Sequence, residues 1–267
     1  MTYLHEATGR RRAASAGALE VRNISVRYGR QAVVEDVSFD APRNAITALI
    51  GPSGCGKSTV LSCINRLTDM VPGCCVDGSV GISWLRDTWI ERDVVHLRRQ
   101  VGMLFQRPNP FPFSIWRNLE FALKQHGVKD REERDDRIKR ALEEVGLWEE
   151  VRGRLQDSAM ALSGGQQQRL CLARALVLNP TVMLMDEPCS ALDPIATQRI
   201  EELIQKLSTT HTVLMVTHSL AQARRLASKL GVMWKVDGVG RMIEFGDADA
   251  IFEDPAEDLT SAYLKFA

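Results

Sequence analysis

The nine residues Gly51-Pro52-Ser53-Gly54-Cys55-Gly56-Lys57-Ser58-Thr59 constrain this chain more than any other part of it. They follow a short apolar run, Ala45 to Ile50, and precede a segment of helical character from Thr59 to Leu67. Gly51, Gly56, Lys57 and Ser58 stand at the spacing of a phosphate-binding loop set between a strand and a helix. Glycines let backbone N–H groups turn inward as a cradle for anionic oxygens, and the helix adds its positive end. Lys57 is then placed to reach the β- and γ-phosphates of a nucleotide, and the Ser58 hydroxyl to ligate Mg²⁺. A plain glycine turn would need neither the strand before nor the helix after. The segment therefore predicts a nucleotide site built from Gly51 through Thr59.

Length and charge bound what the nucleotide can serve. A chain of 267 residues forms one large domain, or a core with a subdomain. Lys plus Arg equals Asp plus Glu, at 34 each, so no global basic field favours a nucleic-acid partner. No run of 18 apolar residues is present to span a membrane. The six cysteines (Cys55, Cys63, Cys74, Cys75, Cys171 and Cys189) lack paired zinc spacing and form no disulfide framework. A disulfide at Cys55 would obstruct the loop, so a reducing cytosol is the expected compartment. Residues 1–18 carry Arg10, Arg11 and Arg12 among Ala, Gly and Ser, without the apolar core of a secretory signal, and read as a disordered arm.

Patterning predicts an α/β chain. Leu19 to Tyr28 and Ala32 to Phe39 alternate around Gly29-Arg30, as paired antiparallel strands do. Ala45–Ile50, Val101–Phe105, Val182–Met185 and Val213–Val216 are continuous apolar runs, the signature of strands buried on both faces of a parallel sheet. Between them, from about 107 to 177, prolines 108, 110 and 112 open a segment that turns helical over Ser114–Gln125 and Arg134–Val145. This reads as a helical subdomain inserted into the core. Val232–Val236 and Arg241–Phe245 suggest a hairpin at Asp237-Gly238, followed by short helices near Ala248–Phe252 and Leu259–Phe266.

Two further segments carry chemistry. Thr181 to Met185 is an apolar strand that ends in Asp186-Glu187. Adjacent carboxylates at a buried strand end ask for a cation, because uncompensated buried charge is costly. Beside the phosphate loop, Asp186 would bind Mg²⁺ and Glu187 would deprotonate an attacking water. On its own the pair is equally a solvated strand end. Leu162-Ser163-Gly164-Gly165-Gln166 opens a strongly helical run, with Ser163 as N-cap and two glycines exposing backbone N–H groups. This makes a second anion site, which one nucleotide cannot obviously share with the first from one subunit.

The ordered set of phosphate loop, Gln106 after a strand, Leu162–Gln166, Asp186-Glu187, Ser190–Asp193 and His218 resembles the ATPase subunit of ATP-binding cassette (ABC) transporters, from about Leu19 onward. The resemblance implies an ABC-type P-loop core with a mixed sheet, an N-terminal antiparallel β-subdomain and the inserted helical subdomain, all within residues 19–267. It implies a homodimer in which each phosphate loop faces the partner's Ser163-Gly164-Gly165-Gln166 segment and two ATP molecules are buried with Mg²⁺. Tyr28 then stacks on adenine, Gln106 meets Mg²⁺ and the attacking water, His218 contacts the γ-phosphate, and Asp193 couples the two sites.

Within that family, Gln106–Pro112 with Ser114-Ile115, Leu162–Leu172, Asp186–Thr197 and Ile243–Gly246 are similar to the phosphate-importer (Pst-type) ATPases. The resemblance implies two integral-membrane permease subunits as partners, an extracytoplasmic phosphate-binding protein indirectly, no nucleic acid, and a peripheral place on the cytoplasmic face of the cell membrane. Trp84–Trp89 and Trp234–Asp237 depart from that pattern. Another oxyanion or small solute is the alternative; an ABC ATPase acting on nucleic acid would carry a coiled-coil insert, tandem cassettes or a basic face, absent here.

Overall fold

The computed structural model describes residues 17–82, 88 and 93–266. The arm expected over residues 1–18 falls almost wholly outside them, as does the Trp84–Trp89 segment apart from Thr88. The chain opens with β1 (Gly17–Tyr28) and β2 (Gln31–Pro42), antiparallel across a turn in which Gly29 takes φ +58°. Then come β3 (Ile46–Ile50), α1 (Lys57–Ile64), β4 (Cys74–Ile82), α2 (Val94–Gln100) and β5 (Val101–Leu104). Four helices follow: α3 (Ile115–Gln125), α4 (Arg131–Glu144), α5 (Trp148–Val151) and α6 (Gly164–Leu176). The chain continues through β6 (Val182–Asp186), α7 (Pro194–Leu207), β7 (Thr212–Val216), α8 (Leu220–Leu226), β8 (Lys229–Val236), β9 (Val239–Asp247), α9 (Ala248–Glu253) and α10 (Asp258–Phe266).

The nine strands of the described residues join one mixed sheet in the order β4-β1-β2-β9-β8-β3-β7-β6-β5. From β8 to β5 neighbouring strands run parallel, while β4, β1 and β2 pair antiparallel. The hairpin of β8 and β9 turns on Asp237 and Gly238, both at positive φ, which suits the right-handed twist of its strands.

The parallel strands are covered on both sides, which accounts for their unbroken apolar runs. Ile46, Ala48 and Ile50 of β3 join Met183, Met185, Val213 and Met215 in a core beneath α3–α9. Their neighbour Leu49 faces the other way with Val182, Leu184, Leu214 and Val216, against α1 and the β1–β2 ribbon. Helix starts follow side-chain caps: Ser114, Asp130, Ser163, Asp193 and Ser219 each accept a first-turn N–H of α3, α4, α6, α7 and α8. Because β3, β5, β6 and β7 run parallel, their C-terminal ends share one edge, where ligands of open α/β sheets bind.

Candidate functional site: a cavity at the strand ends

The loop from Gly51 to Gly56 joins β3 to α1, and its shape depends on two glycines. Gly51 has φ +139°, and a Cβ there would lie 2.0 Å from the Met233 carbonyl oxygen of β8. Gly56 caps α1 at φ +96°, with Val34 Cγ2 2.5 Å from the place of its missing Cβ. The loop is thus wedged between β8 and β2. Helix α1 begins at Lys57, two residues before the apolar pattern shows it, so Lys57 and Ser58 occupy its first turn. Lys57 is buried and its Nζ donates to the carbonyls of Gly51 and Pro52 at 2.8 and 2.9 Å.

Four strand ends bring the remaining groups to this loop. Ser58 Oγ donates to Asp186 Oδ1 at 2.9 Å, at the end of β6. Burial pushes the Asp186 carboxyl above its ordinary value; the Ser58 hydrogen bond opposes this, and the neighbouring Glu187 charge adds to it. Glu187 takes φ +45°, a left-handed conformation uncommon for a long side chain. Its Oε2 accepts Gln106 Nε2 at 2.8 Å and lies 3.1 Å from His218 Nδ1. The Glu187 side chain is 17% exposed and that of His218 57%. Ser53, Gly54, Gly56, Lys57, Ser58, Thr59, Gln106, Glu187 and His218 line one cavity of about 660 Å³, with Val33 as the contribution of β2. Tyr28 does not line it; its hydroxyl sits by Thr59 and Cys74, and burial raises its pKa. Cys55 is buried behind the loop.

The structure does not bring Ser163–Gln166 to this cavity. Those residues line a separate cleft with Glu150, Leu192, Asp193 and Arg199. Ser163 and Gln166 form a reciprocal cap, each side chain accepting the other's backbone N–H, at 3.4 and 3.1 Å. Asp193 accepts from Ile195 and Ala196, both at 2.9 Å, and fixes the start of α7.

Sequence reading missed two residues that tie these parts together. Gln168, buried in α6, donates to the carbonyls of Phe105 and Pro188, next in sequence to Gln106 and Glu187. Glu150 binds Arg169 and Gln166. The first signal is weak, a third consecutive Gln; the second has none, since Glu150 stands in a charged run.

A phosphate loop at the edge of a parallel sheet, with a serine, a half-buried carboxylate and a second acid converging on it, defines a P-loop nucleotide-binding protein. Residues 34–190 match the family described as ABC transporter, and the chain belongs to that family. Membership implies ATP as the bound nucleotide. Over 252 residues the chain is 55% identical to the Phosphate import ATP-binding protein PstB 1 of Nitrosococcus oceani, covering 93% of this chain and 90% of that protein. It is 47% identical over 247 residues to the protein of the same name from Vibrio parahaemolyticus, covering 92% and 89%. Among solved structures, cbiO1 from Clostridium perfringens, described as part of the ABC transporter complex cbiONQ, matches with a TM-score of 0.75. That likeness covers 90% of this chain and 92% of the other at 24% identity, and concerns the fold alone.

Proposed function

We propose that this chain is the ATP-hydrolysing subunit of an importer that carries phosphate through separate membrane permease subunits. The observation that carries the reading is the convergence of Lys57, Ser58, Gln106, Glu187 and His218 on one cavity, in a chain close to named phosphate import ATP-binding proteins. Loop N–H groups and Lys57 bind the phosphates of ATP, with Tyr28 against the adenine. Mg²⁺ fits the donors present: a hydroxyl and a carboxylate oxygen sit 2.9 Å apart, and a carboxylate penalised by burial gains from a divalent cation. Ser58 and Asp186, with Gln106, would hold it, and it would neutralise charge on the transferring phosphoryl group.

Glu187 takes a proton from the attacking water onto its carboxylate. Gln106 and His218 both contact Oε2 and hold that carboxylate in place. Little covalent work is asked of the protein, since positioning and charge neutralisation carry most of phosphoryl transfer. The separate cleft at Ser163–Gln166 completes the site of a second copy, so that two chains pair head to tail and ATP joins them. Closure reaches the membrane subunits through the segment of about 107–177, assigned here as the inserted subdomain. Phe111, Phe113 and Phe121 of this segment pack ring against ring, with Arg174 and Arg117 over two of them, and Phe111 and Phe121 remain 36% and 38% exposed. An exposed aromatic patch of this kind suits a permease segment. Among the described residues no helix is long and apolar enough to cross a membrane, in keeping with a peripheral subunit on the cytoplasmic face. An extracytoplasmic phosphate-binding protein would act only through the permease.

Two measurements test this reading. Glu187→Gln should retain ATP and hold the dimer while turnover falls by about 100-fold or more; parental turnover refutes the base. Uptake of radiolabelled phosphate should vanish in cells lacking the chain and return with it. Uptake that is unchanged, while transport of another oxyanion is lost, reassigns the solute.

A further inference from the structure

Glu150, at the end of α5, gathers side chains from two other helices. Its Oε1 and Oε2 accept Nη1 and Nη2 of Arg169 at 2.8 and 3.0 Å, and Oε2 also accepts Nε2 of Gln166 at 2.8 Å. Arg199 of α7 approaches Oε1 to 3.9 Å. Arg169 is 7% exposed and gives a further bond to the Gly146 carbonyl. These hydrogen bonds, led by Arg169, hold the Glu150 carboxyl below its ordinary range and keep it a charged acceptor.

The contact with Gln166 decides an orientation. With Nε2 committed to Glu150, the amide must present Oε1 to the Ser163 N–H, the bond that completes the helix cap. The cap is thereby fixed from behind, and the start of α6 opens forward: among the described residues nothing lies within 4 Å of a Cβ built at Gly164. It opens onto a cleft of about 490 Å³ that shares no lining residue with the cavity of Lys57 and Glu187. The turn that Glu150 sets through Gln166 therefore faces a cleft apart from its own subunit's nucleotide cavity.

We propose that Glu150 is a positioning residue for the ATP held by the partner copy, setting the Ser163–Gln166 turn through Gln166 and Arg169. The proposal rests on the head-to-tail pairing given under Proposed function. A residue that merely braced its own subunit would damage its own phosphate loop, whereas this one damages its neighbour's.

The test uses full-length chains with two different tags, all carrying Glu187→Gln so that ATP is retained. Mixed dimers of a tagged parent and a tagged Glu150→Ala chain are loaded with photoreactive radiolabelled ATP, chased with unlabelled ATP, cross-linked and resolved by tag. Label on the parental chain should fall about tenfold, as expected for losing charge-assisted bonds that hold the turn, while label on the Glu150→Ala chain persists. Loss on the Glu150→Ala chain itself, or on neither, overturns the proposal. Glu150→Gln keeps one acceptor for Gln166 and should show the same asymmetry in smaller degree; it serves in place of Glu150→Ala if that variant misfolds. A Gly164→Asp chain, altered in the turn itself, is the control. If it loses its own label, head-to-tail pairing falls and the proposal with it. If it strips its neighbour while neither Glu150 variant does so, the proposal alone fails.

Discussion

Alanine substitutions at Gly51 and Gly56 separate two constraints on the phosphate loop, one from backbone and one from a side chain. Both positions have positive φ, so alanine at either carries backbone strain of about 1–3 kcal/mol. At Gly51 the obstacle is the Met233 carbonyl, 2.0 Å from the new Cβ to oxygen and 3.0 Å to carbon. It belongs to β8, between β9 and β3, and has nowhere to go. At Gly56 the obstacle is Val34 Cγ2 at 2.5 Å, a methyl that can be removed. Overpacking of this kind adds roughly 1–3 kcal/mol, so Gly56→Ala should lose about 2–6 kcal/mol in all. That is a large part of the roughly 5–15 kcal/mol that holds a domain together. Val34 is 1% exposed, and Val34→Ala alone should lose about 1.5–3 kcal/mol. The Gly56→Ala/Val34→Ala double variant should then be more stable than the sum of the singles by about 1–2 kcal/mol, the overlap relieved. Combined with Gly51→Ala, Val34→Ala should instead add to within about 0.5 kcal/mol. Urea unfolding followed by far-ultraviolet circular dichroism gives all five stabilities on one scale. Additivity of Gly56→Ala with Val34→Ala would show that the methyl is not what excludes a side chain there.

Two more outcomes follow from titrating groups. Burial raises the Asp186 carboxyl, so the folded chain binds its proton more tightly than the unfolded chain, and this site loses stability as pH rises from the ordinary carboxylate range through the folded value. Asp186→Asn should therefore raise the melting temperature at neutral pH, and the gain over the parent should shrink as pH falls; a gain independent of pH contradicts the linkage. Burial pushes the Cys63 thiol up to about 12, while Cys75 is exposed. Iodoacetamide at about pH 8 should mark Cys75 on the native chain and reach Cys63 only in urea, read by mass spectrometry; early labelling of Cys63 counts against its burial.

What could be read without coordinates depended on how each element announces itself. The parallel strands are legible because burial on both faces leaves continuous apolar runs such as Val213–Val216. β4 escaped, since Gly78 and Gly81 interrupt its pattern and most of its residues are exposed or half-buried at the sheet edge. Helix α4 begins at Arg131, not at Arg134, because its first apolar residue is Ile138 and the start is set by the Asp130 cap and by Glu132 and Glu133. Likewise α1 starts at Lys57, because a left-handed Gly56 lets the chain enter the helix directly from the loop.

The sequence by itself determined the chemistry: a loop that suits phosphate, a hydroxyl and a carboxylate that suit Mg²⁺, a second acid, and their order along the chain. Those follow from residue type and local spacing, which a linear pattern carries. Only the tertiary structure decided that Gln106, Glu187 and His218 meet at one oxygen atom although they follow three different strands. It alone placed Ser163–Gln166 in a different cleft from Lys57, and made Glu150, one glutamate in a charged run, the anchor of that turn. The reason is physical. Strand order is set by the two cores packed against the faces of the sheet, and that order fixes which strand ends become neighbours.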